Sequence, residues 1–409
     1  MPFFFVKSAA EARRLLQWGK HVSRARELPV SDAAGAVLAQ NLVSPLDLPE
    51  FPRAVVDGFA VVAADTFGAS AGLPCYLKVE GEVLMGREAP GPLFPGHAVR
   101  IATGGMVPAG ADAVAMVEYT ELTATGLVEI FRPCAPGEGL VLPGDDLRRG
   151  APLLPGGRRL RPQDLGLLAG VGIVSVPCFA PPRVAVIPTG DEIVPPDQEP
   201  APGQVRDINT TAIAAAVLEA HGEPITFPIV PDDPEALRAT VEQALAGTDL
   251  VLLAGGSSVG SRDWTLEVLT SLPGAELLFH GVSIRPGKPV VAVGVGEKLM
   301  IGLPGNPVSA LVVFQQFIRP VLRRLSGERD ALPRGSRVRA VLTRGYASDA
   351  GKEDYVRVRL RETPAGYAAE PLLGKSTLLT TLVEADGLVV VPEHVEGLEP
   401  GTEAEVEIL

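Results

Sequence analysis

Between Val184 and about Gly327 the chain alternates short apolar runs with helical stretches, a pattern that few folds accept. Val184-Ala185-Val186-Ile187 reads as a buried strand, and a helix is expected over 210–220, with Asn209 as N-cap and Gly222 just past its end. A strand over 225–230 follows, then Asp233-Pro234 as cap and first residue of a helix reaching about Ala246. Strands over 250–253 and 299–303 come next, and the last runs through Pro304-Gly305-Asn306-Pro307 into a helix from Val308 to about Leu325. Strand and helix in repeated succession predict a parallel sheet with helices on both faces, because a parallel neighbour is reached only by a crossover.

The flanks have a different texture. Residues 8–18 are expected to be helical, with Ser8 as N-cap and Glu11 completing a capping box, and 31–40 as a second helix. Pro45, Pro49 and Pro52 then enforce an extended approach to 55–62. From there to about Leu142, β-rich runs such as 76–83, 98–103 and 127–131 alternate with turns, as in a compact β-rich domain. A Gly/Pro-dense connection over 150–157 leads to a short helix over 162–170. Residues 337–409 show the period of two, as in Val356-Arg357-Val358-Arg359-Leu360-Arg361, and read as a further small β domain.

Composition narrows the function. The chain has 45 glycines and 39 prolines in 409 residues, without a fixed repeat, so they punctuate a fold rather than build a fibre. Its formal net charge of −13 argues against a broad grip on nucleic acid or on an acidic membrane. Any anionic ligand must be held by local cations and backbone amides. No apolar run is long enough to span a bilayer and the N-terminal one is too short for a signal peptide, so a cytoplasmic protein is expected. Cys75, Cys134 and Cys178 form no metal or disulfide pattern.

In an open parallel sheet, ligands bind beyond the carboxyl ends of the strands. Four loops leave those ends: Pro188 to Glu192, Pro231 to Asp233, Ala254 to Asp263, and Pro304 to Pro307. Gly255, Gly256 and Gly260 let backbone amides approach a ligand, and Asn306 opens a helix whose start attracts anions. Asp191, Glu192, Asp232 and Asp263 would gather at one sheet edge, where carboxylates hold Mg²⁺; Asp232 and Asp233 serve equally well as an ordinary helix start. Arg285 and Lys288, on the turn Ile284-Arg285-Pro286-Gly287-Lys288-Pro289, offer cations to a pyrophosphate or oxyanion, and His280 lies nearby. Asp57 sits in an Asp-Gly pair that is otherwise just a turn, and Arg357, Arg359 and Arg361 share one strand face.

Several segments together resemble the MoeA-type molybdopterin molybdenumtransferases and the gephyrin E domain. They are 49–62, Arg100 to Gly105 followed by Pro108 to Val114, Thr189-Gly190-Asp191-Glu192, Gly203 to Asn209, Gly255-Gly256 through Asp263, Arg285 to Pro289, and Gly302 to Ala310. The resemblance runs in order along nearly the whole chain. It implies an elongated, multidomain α/β plus β chain of four domains: a discontinuous helical domain I (1–44 and 145–180), an inserted β-rich domain II (45–144), a parallel-sheet molybdopterin-binding domain III (181–328) and a β-barrel-like domain IV (329–409). It also implies a homodimer that inserts molybdate into adenylylated molybdopterin with release of AMP, assisted by Mg²⁺ or Zn²⁺. The adenylyltransferase of the preceding step and acceptor molybdoenzymes are the further partners it allows.

Carried over residue by residue, the resemblance gives catalytic roles to Asp57, Glu192, Asp263 and Lys288, with Glu192 and Asp263 as metal ligands and Asp57 acting across the dimer interface. It gives substrate contacts to Thr103, Asp146, Asp232, Arg285, Pro304, Pro307, Arg357 and Ser376, to which Gly255, Gly256 and Asn306 are added for their loops and His280 for its place beside the basic turn. The chain departs from the family pattern at Ala54, Ala254, Ser257 and Arg285; the last exchanges a compact ammonium for a planar fork. Two rival readings are a molybdopterin adenylyltransferase, which leaves the flanking domains without a purpose, and a catalytically silent scaffold, against which the retained carboxylates and Lys288 argue.

Overall fold

The computed structural model describes residues 6–20, 22, 24–255, 264–329 and 337–409, and the chain divides into two compact units. The smaller takes in Asn41–Pro155 and Gln163–Val174; the larger takes in the chain up to Gln40, Gly156–Pro162 and Ser175–Leu409.

In the smaller unit a six-stranded sheet runs in the order Ala113–Met116, Gly58–Val61, His97–Ile101, Cys75–Glu82, Leu127–Ile130, Thr120–Leu122. Strand alternation sorts its side chains into two cores: Phe59, Val61, Leu77, Ala98 and Ile130 on one face, Ala60, Val99, Ile101 and Val114 on the other. Gly58 is not a turn residue. It opens a central strand, and a Cβ there would lie 1.9 Å from the Ala115 carbonyl oxygen, so the neighbouring strand admits only glycine.

The larger unit holds a six-stranded sheet in the order Glu223–Thr226, Arg183–Pro188, Leu250–Ala254, Lys298–Leu303, Val291–Val295, Ala275–His280. The first four are parallel, as the alternation predicts, but Val291–Val295 runs antiparallel to both of its neighbours. The reason is local: Val295 pairs with Lys298 across Gly296-Glu297, with Gly296 at φ +57°, and two residues cannot make a crossover. Helices cover both faces. Val184 and Val186 point into a core with Ile213, Val217 and Leu322, while Ala185 and Ile187 meet Leu237, Val241 and Leu269 on the other side.

Three helix expectations change. Helix Ala9–Leu15 is capped by Ser8, whose Oγ accepts from the Glu11 N–H at 3.2 Å, but the Glu11 carboxylate pairs with Lys7 Nζ at 2.6 Å instead of closing the box. Residues 31–40 are not a helix: one 3₁₀ turn, Val30–Asp32, gives way to bridges Val37↔Arg159 and Leu38↔Cys178, and Gly35 (φ +75°) lies against the His221 ring. The long helix after Pro307 is Pro307–Val313, a π turn Phe314–Ile318 and Arg319–Leu325. The widened turn accommodates Pro320, which lacks a donor and crowds the carbonyl four residues back.

Five C-terminal strands, Glu353–Thr363, Gly366–Pro371, Arg337–Leu342, Glu403–Ile408 and Gly387–Val391, pair in that order, and the last returns to the first, closing a barrel. Val356 and Val358 fill its interior with Ala340, Ala369, Val389 and Val406. Tyr355, Arg357, Arg359 and Arg361 therefore project outward. Ile284–Arg285 adds in parallel to Glu353-Asp354, so the basic turn of the α/β layer is stitched to the barrel.

Candidate active site

Where the sheet ends face the barrel, within the larger unit, lies a cavity of about 1310 Å³. Its sheet side is built from strand ends. Thr189 continues strand Arg183–Pro188 and bridges Val230, and its N–H reaches the Ala254 carbonyl at 3.3 Å. Gly255, at φ +128°, passes so close that a Cβ would stand 2.4 Å from the Thr189 carbonyl oxygen. The backbone here is open because glycine leaves it open.

Asn209 has a different task from the one its position predicts. Its Nδ2 donates to the Gly305 carbonyl at 2.8 Å and ties the start of helix Asn209–Glu219 to the 304–307 loop. Asp207, buried one turn earlier, serves as the cap: its Oδ1 accepts from the Thr210 N–H at 3.0 Å. Asp233 does cap its helix, accepting from Glu235.

The two arginines of the cavity are held in opposite ways. Arg285 stacks over Tyr346, with 5.5 Å from its Cζ to the ring centroid, and its Nη2 donates to Asp354, to the Tyr346 hydroxyl at 3.0 Å and to the Ala347 carbonyl at 3.2 Å. Asp354 is fully buried and also accepts from Ser348 Oγ at 2.6 Å. Burial works against the Arg285 charge, but Asp354 and Tyr346 outweigh it and raise the guanidinium pKa. A planar fork is what this arrangement uses, and a lysine could not make it. Arg357, 8% exposed, donates to Thr381 Oγ1 and to the Gly374 carbonyl at 2.9 Å. Its Nε, like that of Arg285, is buried without a partner; no carboxylate pairs with Arg357 among the described residues, and burial lowers its pKa.

Among the described residues Arg206, Lys288, Lys352 and Lys375 complete the cations of the lining, against two carboxylates, Glu192 and Asp207. Asp207 is occupied as a cap. Among the described residues nothing hydrogen-bonds to the exposed Glu192 carboxylate, and no three His, Cys, Asp or Glu side chains are grouped as a metal site.

The structure thus brings together Glu192, Gly255, Arg285, Lys288, Pro304, Asn306, Pro307, Arg357 and Ser376. Asp232 is exposed and does not line the cavity; its N–H donates to Asp191 at 3.1 Å. His280 is buried at the end of the edge strand, also away from the lining. Gly256, Ser257 and Asp263 lie outside the described residues. Asp57, Thr103 and Asp146 belong to the smaller unit. There Asp57 Oδ1 accepts from the Thr103 N–H at 2.7 Å and its hydroxyl at 2.9 Å, which together hold the Asp57 carboxyl below the usual carboxylate range; Asp146 is exposed. Sequence reasoning missed Arg206, Tyr346, Lys352 and Asp354. Lys375, next to Ser376, was missed as well, because a lone lysine between Gly374 and Ser376 carries no signal of its own.

Three family descriptions match the chain: MoeA N-terminal region (domain I and II) over residues 7–172, Probable molybdopterin binding domain over 185–324, and MoeA C-terminal region (domain IV) over 339–409. A molybdopterin molybdenumtransferase of Nostoc sp. is 36% identical over 368 residues, 88% of this chain and 83% of that protein. Molybdopterin molybdenumtransferase 2 of Mycobacterium tuberculosis is 34% identical over 407 residues, covering 98% and 99% of the two chains. The crystal structure of a molybdopterin biosynthesis MoeA protein from Pyrococcus horikoshii superposes with a TM-score of 0.85 at 31% identity, over 99% of this chain and 100% of that one.

Proposed function

The chain belongs to the MoeA family of molybdopterin molybdenumtransferases, and on that premise we propose that it inserts molybdate into adenylylated molybdopterin, opening the phosphoanhydride to release AMP. Work in molybdenum cofactor biosynthesis follows from the family; the adenylylated substrate is the finer reading. The observation that carries it is the cavity's charge: a chain of net charge −13 lines one cavity with Arg206, Arg285, Lys288, Lys352, Arg357 and Lys375 against Glu192 and the capped Asp207. Such a site suits a diphosphate and a tetrahedral oxyanion.

In this reading Arg357 and Lys288 hold phosphate or molybdate oxygens, with Lys375 and Ser376 beside them, and the Gly255 and 304–307 backbone bounds the other wall. The donors present fit Mg²⁺ in one way. Glu192 offers a carboxylate to which none of the described residues hydrogen-bonds, and Mg²⁺ is commonly held by one or two carboxylates, retained waters and the substrate's own phosphates. A Zn²⁺ site of nitrogen and sulfur ligands has no counterpart among the described residues. Bound there, Mg²⁺ would neutralise charge developing on the phosphoanhydride. Asp263 keeps the partner role that the sequence gives it. Asp57, whose carboxylate accepts two hydrogen bonds from Thr103, is the second carboxylate we assign to the reaction, and a homodimer is the state we propose.

The test is molybdate-dependent AMP release from purified adenylylated molybdopterin. Glu192→Gln and Asp57→Asn should each lower turnover by about a hundredfold, the lower end of the loss seen when one preorganised electrostatic contact to the transition state is removed. Normal turnover in both variants would sink the site assignment; no turnover by the wild type would sink the function.

A further inference from the structure

A carboxylate of the chain itself sits on two of the cavity's cations. Asp349 Oδ2 accepts from Lys352 Nζ and lies 3.5 Å from Arg285 Nη1, so one oxygen bridges both. The far side of Arg285 is fixed: Nη2 is committed to buried Asp354, to Tyr346 and to the Ala347 carbonyl. That anchoring leaves Nη1 as the nitrogen turned to Asp349, beside Lys352; Arg285 and Lys352 line the cavity, and Asp349 stands just outside its lining, open to solvent. Asp349 is held loosely by comparison. Its side chain is 74% exposed, its contact to Arg285 is long, and Lys352 first and Arg285 second keep it ionised by lowering its pKa.

We infer that Arg285 Nη1 and Lys352 Nζ form an oxyanion subsite which Asp349 fills until a tetrahedral oxyanion displaces it. Two cationic donors converging on one position are what a phosphate or molybdate oxygen accepts, and the anchored fork gives the site direction. Asp349 acts as an internal competitor: it keeps two cations from repelling each other in the free protein and sets how strongly an anion must bind to enter. Exchange is cheap because an exposed ion pair is worth little in water. The inference rests on the reading of this cavity as an oxyanion site, and concerns which residues tune it.

Removing the competitor should strengthen binding, an effect that a merely structural residue does not produce. Calorimetric titration of the full chain at low salt with inorganic molybdate, and separately with inorganic phosphate, compares wild type with Asp349→Asn. Glu362→Gln, which removes the same charge from an exposed barrel position, is the control for net charge. Asp349→Asn should bind at least one anion about three- to tenfold tighter, and Glu362→Gln should stay within about twofold of wild type. The gain should vanish when Lys352→Gln is added. Tightening for molybdate alone assigns the subsite to the incoming metal oxyanion, for phosphate alone to the pterin substrate's phosphate, and for both to their shared chemistry. Equal or weaker binding by Asp349→Asn overturns the inference. AMP release is scored separately, so a wild type that binds anions without turnover overturns the function and leaves the subsite standing.

Discussion

The basic turn of the α/β layer and the first half of the barrel strand Glu353–Thr363 each give one arginine to the same cavity, and the chain treats them differently. Arg285 is surrounded by acceptors that match its charge, one of them the fully buried Asp354. Arg357 is the more buried of the two, yet its partners are a carbonyl and a hydroxyl, both neutral. A matched charge contributes to holding the fold together, whereas an unmatched buried one is costly until a ligand arrives. The contrast assigns architecture mainly to Arg285 and ligand binding mainly to Arg357.

Arg285→Met should break that assignment most visibly, because it leaves Asp354 buried without its guanidinium, facing only the neutral Ser348 and Tyr346 hydroxyls among the described side chains. Losing one member of a buried pair costs about 3–5 kcal/mol, and the lower end applies because the Arg285 side chain is 39% exposed. Thermal unfolding should fall, and adding Asp354→Asn should recover much of the loss, since the stranded charge is then gone. A midpoint unchanged in Arg285→Met would place Arg285 among the ligand-binding groups only.

Arg357→Met should show the opposite profile. It removes hydrogen bonds to a charged group in the bound state, worth about 1.5–3 kcal/mol, or roughly ten- to a hundredfold in kcat/KM for AMP release. Stability should move by less than about 1 kcal/mol, because Thr381 Oγ1 keeps its bond to the Leu378 carbonyl and a buried uncompensated cation has been deleted. A large fall in stability with activity intact would reverse the roles of the two arginines.

The difference between them explains what could be read from the chain. Arg357 stands out in the alternation of Val356 to Arg361, and the Gly255 and 304–307 loops follow from local strand-helix succession. Asp354 gives no such sign: it faces Arg285 only because a parallel pairing joins segments 69 residues apart. The same applies to Gly35 against His221 and to Asn209, whose amide answers a carbonyl 96 residues away in preference to its own helix. Periodicity and capping rules describe neighbours in sequence. Long-range polar partners decided those positions; the antiparallel strand Val291–Val295, which no motif announced, follows instead from the local two-residue hairpin at Gly296-Glu297.

The smallest effect is expected on the same strand as the largest functional one. Arg359 and Arg361 share the outward face with Arg357, but Arg359 Nη2 meets Glu384 at 2.8 Å and Arg361 Nη2 meets Glu370 at 2.9 Å, in pairs open to solvent. Each pair trades modest attraction for side-chain order in water and is screened by salt, which leaves about 0–1 kcal/mol. Neither residue lines the cavity. Arg359→Gln and Arg361→Gln should therefore keep turnover within about twofold and the unfolding midpoint within about a degree or two at physiological salt. If either approached the loss expected for Arg357→Met, the strand would act through its summed positive field, and burial of one guanidinium would no longer account for the difference.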